Sequence, residues 1–181
     1  PIAHFTKDTW VLEPPAVAAL LQKLKTVSSP LSRATGVKPF RGILTGLNEA
    51  FLIDEGTRDR LISEQPEVRQ LIRPYLRGQD VSRWTTPTSN LYMILMKSSG
   101  DHRWSWHDAP DETEAERRFK SDYPAIYRHF KPFIEFTDPK TGKLRGLRHR
   151  EDQGRWWWEL RSCAYYDAFD KPKTIYQVIQ F

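Results

Sequence analysis

Basic side chains interleaved with aromatic ones are the residues of this sequence best suited to chemistry with a ligand. They cluster in two regions: residues 73–84, and residues 140–161, where a basic loop runs into three consecutive tryptophans. Arg and Lys neutralise phosphates, and Arg and Gln also hydrogen-bond with base edges. Both regions therefore favour nucleic-acid binding. The candidate contacts are Arg73, Arg77, Gln79, Arg83, Lys140, Lys143, Arg145, Arg148, Arg150, Arg155 and Trp156.

The tryptophan run Trp156-Trp157-Trp158 allows two interpretations. In a strand, Trp157 would face one side of the sheet while Trp156 and Trp158 face the other. One side is expected to be core, and the other is either a second packing layer or a flat aromatic surface for a ligand. We favour core packing for at least two of the three. The corresponding alternative for the arginines is a solvated face.

Catalytic and metal-binding patterns are weak by comparison. A metal-dependent nuclease needs clustered carboxylates near a basic residue, and Asp138 and Glu159 supply only fragments of such a site. His102 and His107 lie in a polar stretch without a third strong ligand at zinc spacing. Cys163 has no activating neighbour, and the chain has neither a Gly-x-Ser-x-Gly elbow nor a Gly-rich phosphate loop. We therefore expect no catalytic, cofactor-binding or metal-binding residues in this chain.

Two other functions stay open on the residues alone. One is a small Mg²⁺-dependent nuclease that uses Asp138, Glu159 and nearby basic residues. The other is a binding module in which Trp104, Trp106 and the tryptophan run stack against sugars or single-stranded nucleic acid.

The composition sets outer limits on the fold and the partners. The chain has 181 residues, enough for one domain, with a formal charge of +5 and a pI near 9.4. Such a charge suits an acidic partner, nucleic acid first, although ordinary basic proteins share it. The single cysteine excludes a disulfide within the chain. No apolar stretch approaches membrane-spanning length, so we expect a cytoplasmic protein without a membrane partner.

The hydrophobic pattern predicts an α+β fold in a single domain, with a mixed or mainly antiparallel sheet and several short helices. A helix begins at Pro14-Pro15 and ends at Ser28-Ser29-Pro30. Residues 40–54 indicate two strands around a turn that contains Gly46 and Asn48. The other predicted helices are at 57–63 with Thr57 as its cap, from Pro66 to a break at Pro74, at 111–120, which is charged and expected to be solvated, and at 123–136 with a kink at Pro132. Strands are predicted at 91–96, in the tryptophan run and at 173–181.

Several blocks of the sequence, taken together, resemble one known family. Residues 41–54, Arg41-Gly42-Ile43-Leu44-Thr45-Gly46-Leu47-Asn48-Glu49-Ala50-Phe51-Leu52-Ile53-Asp54, resemble the opening signature of the TaqI-like C-terminal specificity domain. That domain is the target-recognition part of type IIG restriction–modification enzymes and of related phage-defence adenine-specific DNA methyltransferases. Further blocks follow in the family's order at residues 71–81, 83–84, 123–130, 157–162 and 169–175.

The resemblance implies a sequence-reading, DNA-binding module at residues 36–181, expected to be cut short at its C-terminus. An N-terminal arm and a linker helix would occupy residues 1–35. The implied partners are double-stranded DNA and a methyltransferase domain of the same parent chain. The parent enzyme would use S-adenosylmethionine, and Mg²⁺ where a nuclease is attached. This chain lacks an Asn-Pro-Pro-Tyr motif, so neither cofactor nor catalysis is expected within it.

A physical role can be attached to several residues of these blocks. Gly46 is expected to adopt a positive φ, and Asn48 to bond within the turn. Arg77 beside Gly78 would let a phosphate approach the backbone closely. Glu159 is expected to form an ion pair inside the fold, with Arg161, Arg77 or Arg83 as its partner.

Overall fold

A computed structural model of the chain describes residues 14–36, 39–82, 84 and 88–176. The chain divides into two compact units, one that ends at Arg41 and one that begins at Gly42. In the first unit, helix α1 (Pro15–Val27) precedes the short helix α2 (Leu31–Thr35). The predicted helix is confirmed at both ends: Pro15 occupies the first turn, and the Ser28 backbone N–H and hydroxyl both donate to the Leu24 carbonyl, at 3.0 and 2.6 Å.

The second unit is built on a small antiparallel sheet, which confirms the predicted α+β class. Its strands are β1 (Leu52–Asp54), β2 (Ile72–Tyr75) and β3 (Leu91–Ile94), in the spatial order β1-β3-β2. The predicted strand at 91–96 is therefore the central strand, antiparallel to both neighbours. Pro74 lies in an edge strand, where its missing N–H costs least.

Helices α3 (Asn48–Phe51), α4 (Glu55–Glu64), α5 (Glu112–Asp122) and α6 (Pro124–Phe130) pack around this sheet. Short 3₁₀ helices lie at Pro66–Leu71, Gly78–Asp80, Lys131–Phe133, Leu147–His149 and Tyr166–Asp170. No helix among the described residues is both long and apolar enough to cross a lipid bilayer.

The prediction of two strands in residues 40–54 is wrong for the first strand and too long for the second. Gly46 has the expected φ of +67°, and the Thr45 hydroxyl donates to the Asn48 side chain at 2.6 Å. This turn starts α3, because Ala50 and Phe51 are both fully buried when the chain coils there. The Asp54 carboxylate, not Thr57, caps α4 by accepting from the Thr57 N–H at 2.8 Å.

The helices of the middle region differ from the prediction at their ends and in their burial. Helix α5 was expected to be solvated, but Phe119 on its inner face is fully buried. Helix α6 is shorter than predicted, since it ends at Phe130 and a 3₁₀ turn that contains Pro132 follows. Tyr123 precedes α6 and makes no capping hydrogen bond through its own side chain, and the Gln65 side-chain oxygen accepts from the Ala125 N–H in the first turn at 3.3 Å.

The aromatic core of the second unit is organised around the tryptophan run. Trp158 stacks on Phe119 with ring centroids 4.9 Å apart, and Trp106 meets Trp158 edge-on at 6.0 Å. Trp156 and Trp157 are also buried, which confirms core packing for all three. The run is not a strand, because it forms a tight turn closed by a single bridge between Gln153 and Leu160.

The predicted terminal strand at 173–181 is wrong for residues 173–176, which are irregular and exposed. Residues 177–181 lie outside the described part of the chain.

Stability should fall as the pH falls below about 6.5, partly because of His129 on α6. Its ring Nε2 lies 2.9 Å from the Ala50 carbonyl, and burial lowers its pKa despite that hydrogen bond. Because the pKa of His129 is lower in the folded state than its unfolded value of about 6.5, its contribution to stability is complete above about pH 6.5. That contribution is lost as the pH falls through the folded-state pKa. Urea unfolding between pH 7.5 and 5.5 should show a loss of at most about 1.4 kcal/mol per pH unit from this residue.

The matched variant is His129→Gln, whose amide can still donate to Ala50 but does not titrate. Its stability should depend less on pH than that of the wild type. An identical pH profile would contradict the prediction. The variant His102→Gln measures the separate contribution of His102, a second histidine whose pKa is lowered by partial burial and by nearby Lys97.

Candidate nucleic-acid interface

The basic loop at 137–153 begins with a two-stranded hairpin, whose strands are β4 (Phe136–Thr137), which starts one residue before the loop, and β5 (Leu144–Arg145). Asp138 holds its turn together. One carboxylate oxygen accepts from the backbone N–H groups of Lys140 and Thr141, at 2.8 and 3.3 Å. The other accepts from Arg145 at 3.2 Å. The Lys140 N–H is the main reason that the pKa of Asp138 lies below its usual value. The tip of the hairpin is therefore an ordered turn held by hydrogen bonds to the Asp138 side chain.

The hairpin exposes positive charge on this turn. Lys140 and Lys143 are exposed, and neither side chain has an ionic or hydrogen-bonding partner among the described residues. Arg145 remains about half exposed while its guanidinium bonds to Asp138. By contrast, Arg117 and Arg118 on α5 are both paired with Glu114 at 2.8 and 2.7 Å. The two lysines are thus positioned to meet an external anion.

Arg148 and His149 fasten the base of the hairpin. Arg148 pairs with Glu112 and with Glu116 of α5 and lies over the Trp157 ring, 5.6 Å from its centroid. His149 bonds to Glu135 through Nε2 at 2.7 Å. Both side chains remain roughly one-third exposed, so they combine a structural role with access to solvent.

Arg150 is buried, and its guanidinium binds backbone carbonyl groups in place of a ligand. It joins the Gly46 turn to the tryptophan turn, and its partner Thr45 lies 105 residues before it in sequence. The accepting carbonyl oxygens are those of Thr45 at 2.7 Å, Asp152 at 2.7 Å, Trp157 at 2.8 Å and Glu159. Burial lowers the pKa of Arg150 to about 10, against the attraction of Asp152 and Glu159. We therefore remove Arg150 from the candidate DNA contacts.

Glu159 is the fully buried carboxylate around which the tryptophan turn folds. It accepts from the Ser99 N–H at 3.0 Å, the Ser99 hydroxyl, the Trp106 indole N–H at 2.9 Å, and the Arg155 and Trp156 N–H groups at 3.0 and 3.4 Å. Such a set satisfies a buried charge through hydrogen bonds. The predicted ion pair is wrong for Arg77 and Arg161, which pair with Asp80 and Asp152, and the other possible partner, Arg83, lies outside the described residues.

Trp156 is also an unsuitable contact residue, because only 7% of its surface is exposed. Arg155 covers it, with the guanidinium 4.7 Å from the ring centroid. Arg155 further donates to the carbonyl groups of His107 and Ala109 at 3.1 and 3.4 Å. Arg155 remains exposed at the surface, whereas Trp156 belongs to the core.

The first candidate region, residues 73–84, is described only in part. Arg77 pairs with Asp80 through two nitrogens, at 3.1 and 2.9 Å, and Gln79 is exposed beside it. Arg73 is 43% exposed and lies 3.9 Å from Asp170. Arg83 lies outside the described residues. The Arg77 guanidinium, which was predicted to contact a phosphate, instead binds the Asp80 carboxylate.

A cleft of about 270 Å³ opens at the base of the hairpin. One wall is the Gly46-Leu47 turn, and the opposite wall is Leu144, Arg145 and Gly146. Residues 149–152 close it between these walls. The cleft therefore lies between the turn at Gly46 and the basic loop, two segments that are far apart in sequence.

Both alternative functions lose the residues on which they depended. Asp138 accepts three hydrogen bonds in the hairpin turn and Glu159 is fully buried, so neither carboxylate stands free for a metal ion in this structure. The described residues contain no group of three metal-ligating side chains. Trp104 and Trp106 stack on each other at 4.9 Å inside the core and offer no exposed platform.

Comparisons of the chain with protein-family models, curated proteins and solved structures found no match.

Arg150→Met should lower the free energy of unfolding by about 3 kcal/mol or more, because four carbonyl groups lose their donor and three of these hydrogen bonds are buried. The control is Arg161→Met, since Arg161 is 65% exposed and loosely paired with Asp152 at 3.4 Å. That change should cost less than about 1 kcal/mol. Urea unfolding followed by tryptophan fluorescence measures both variants. Equal stability of the two would show that the carbonyl contacts of Arg150 do not hold the fold together.

Proposed function

We propose that this chain binds double-stranded DNA and reads its sequence, as the target-recognition part of an adenine-specific DNA methyltransferase of the restriction–modification, type IIG-like class. The observation that carries the proposal is the pair of exposed, unneutralised lysines on the ordered hairpin turn. A two-stranded ribbon fits the major groove of B-DNA. The resemblance of the sequence blocks supplies the enzyme class and supports the proposal independently of the charge.

The hairpin would contribute affinity through release of counterions from the phosphates. Lys140 and Lys143 enter the complex without first breaking an internal ion pair among the described residues. Arg145 is held by its ion pair with Asp138, and because its side chain is about half exposed its partly neutralised charge still acts at the surface. Because Asp138 fixes the turn, little conformational entropy is lost in the backbone when the turn meets DNA.

The proposal assigns catalysis to a methyltransferase domain of the same parent chain. That domain would bind S-adenosylmethionine, and the parent protein would act in the cytoplasm. The segment described here would supply target recognition and no catalytic group.

The test is DNA binding of the chain and of a Lys140→Ala/Lys143→Ala variant, measured by fluorescence anisotropy at several salt concentrations. Each lost phosphate contact should reduce the slope of log K against log salt by about 0.9. The double variant should therefore bind more weakly, with a slope smaller by about two. The control is Lys23→Ala/Lys25→Ala in α1, which lowers the net charge equally.

Two results would contradict the proposal. One is a wild-type chain with no salt-dependent affinity for duplex DNA. The other is an equal loss of affinity and slope in both double variants, which would mean that net charge and not the hairpin governs binding.

A further inference from the structure

The cleft at the base of the hairpin has walls that suit a flat ring. Gly46 has a φ of +67°, and a Cβ there would lie 3.0 Å from the Arg150 Cβ. Gly146 has a φ of +135°, and a Cβ there would lie 2.4 Å from the Ile134 carbonyl oxygen. Neither position accepts a larger residue without strain, and no side chain at either glycine narrows the cleft. Leu144, which is 54% exposed, adds an apolar surface beside them.

The polar groups of the cleft include donors and an acceptor that are already oriented. Arg145 is held by Asp138 and His149 by Glu135. Glu151 is exposed, and it has no hydrogen-bond or ionic partner in the described part of the chain. The other carboxylate of the cleft, Asp152, pairs with Arg161. Glu151 is thus the free acceptor in a cleft whose donors are anchored.

An unpaired carboxylate weakens a surface that binds only phosphates, because it repels them. Glu151 follows the run Arg148-His149-Arg150, and its charge opposes every nearby phosphate. A carboxylate in a DNA interface is useful when it accepts from the exocyclic amine of a base. Its repulsion of phosphates then lowers non-specific binding and adds to discrimination.

We propose that this cleft is a base-reading site for an amine-bearing nucleobase, cytosine or adenine. Glu151 accepts from the exocyclic amine, Arg145 donates to a neighbouring base acceptor, and the glycine walls and Leu144 contact the ring. This inference rests on the proposed function. The amine belongs either to a base stacked in an intact duplex and read at its edge, or to an extrahelical base that enters the cleft.

The test is selection of binding sites from a library of random duplexes by the chain and by Glu151→Ala. The wild type should prefer cytosine or adenine at one position by about tenfold or more, the size of one good base contact. Glu151→Ala should lose that preference and bind non-selected duplexes more tightly. The control is Glu67→Ala, another exposed carboxylate, which changes the charge equally and should keep the preference.

A second measurement separates the two sources of the amine. Affinity is compared between an intact selected duplex and a duplex with one unpaired cytosine or adenine. Tighter binding of the unpaired base, lost in Glu151→Ala, assigns the cleft to an extrahelical base. Equal or weaker binding, with selection intact, assigns it to a base edge in the duplex.

The inference is overturned if Glu151→Ala keeps the wild-type preference, or if the wild type binds duplex DNA with no preference at any position. The first outcome leaves the proposed function in place, whereas the second also contradicts the reading of sequence and leaves only the phosphate-binding role of the hairpin lysines. Absence of any duplex binding would instead refute the proposed function, and the base-reading site with it. Circular dichroism and thermal unfolding of Glu151→Ala should match the wild type, because the residue is exposed.

Discussion

The second unit of this protein depends on two buried charges that share one stretch of backbone. Arg150 donates to the carbonyl groups of Trp157 and Glu159, while the Glu159 side chain accepts from the Arg155 and Trp156 N–H groups at the start of the turn. The tryptophan turn is thus held from its carbonyl side by a guanidinium and from its N–H side by a carboxylate. Each charge is costly to bury alone, and the hydrogen bonds of the turn offset that cost.

This arrangement fixes the parts of the proposed DNA surface relative to one another. Arg150 also donates to Thr45, so it ties the Gly46 turn to the same backbone. The base of the hairpin is secured a few residues earlier by Arg148, which reaches α5 and lies over Trp157. The cleft lies between these anchored segments. Its shape and the position of the lysine-bearing turn therefore follow from the interior of the unit.

Much of the fold was predictable, because local signals agreed with packing. The helix at Pro15, the strand that begins at Leu91 and the burial of the tryptophans all followed from periodicity and side-chain type, although the strand ends at Ile94 and not at 96. The strand predicted near Gly46 failed because Thr45, Asn48 and the burial of Phe51 favour a helical turn there. Such a choice between two short elements is made by tertiary contacts that a single sequence does not display.

The candidate site was predictable in its general place but not in the roles of its residues. The basic loop was identified from composition, yet composition cannot separate an exposed arginine from a buried one. One signal was present for Glu159, since a carboxylate beside three consecutive tryptophans implies a buried charge with hydrogen-bond donors around it. Arg150 had no comparable signal, because its role depends on a tertiary contact with Thr45, which lies 105 residues away in sequence.

The central claim is that the hairpin turn meets DNA, and lysine footprinting tests it most directly. The chain would be acetylated briefly with and without excess duplex DNA, and each lysine quantified by mass spectrometry. We expect strong protection of Lys140 and Lys143, with little change at Lys120 and Lys131, which are also exposed. Unchanged labelling of Lys140 and Lys143 in saturated complex would contradict the account.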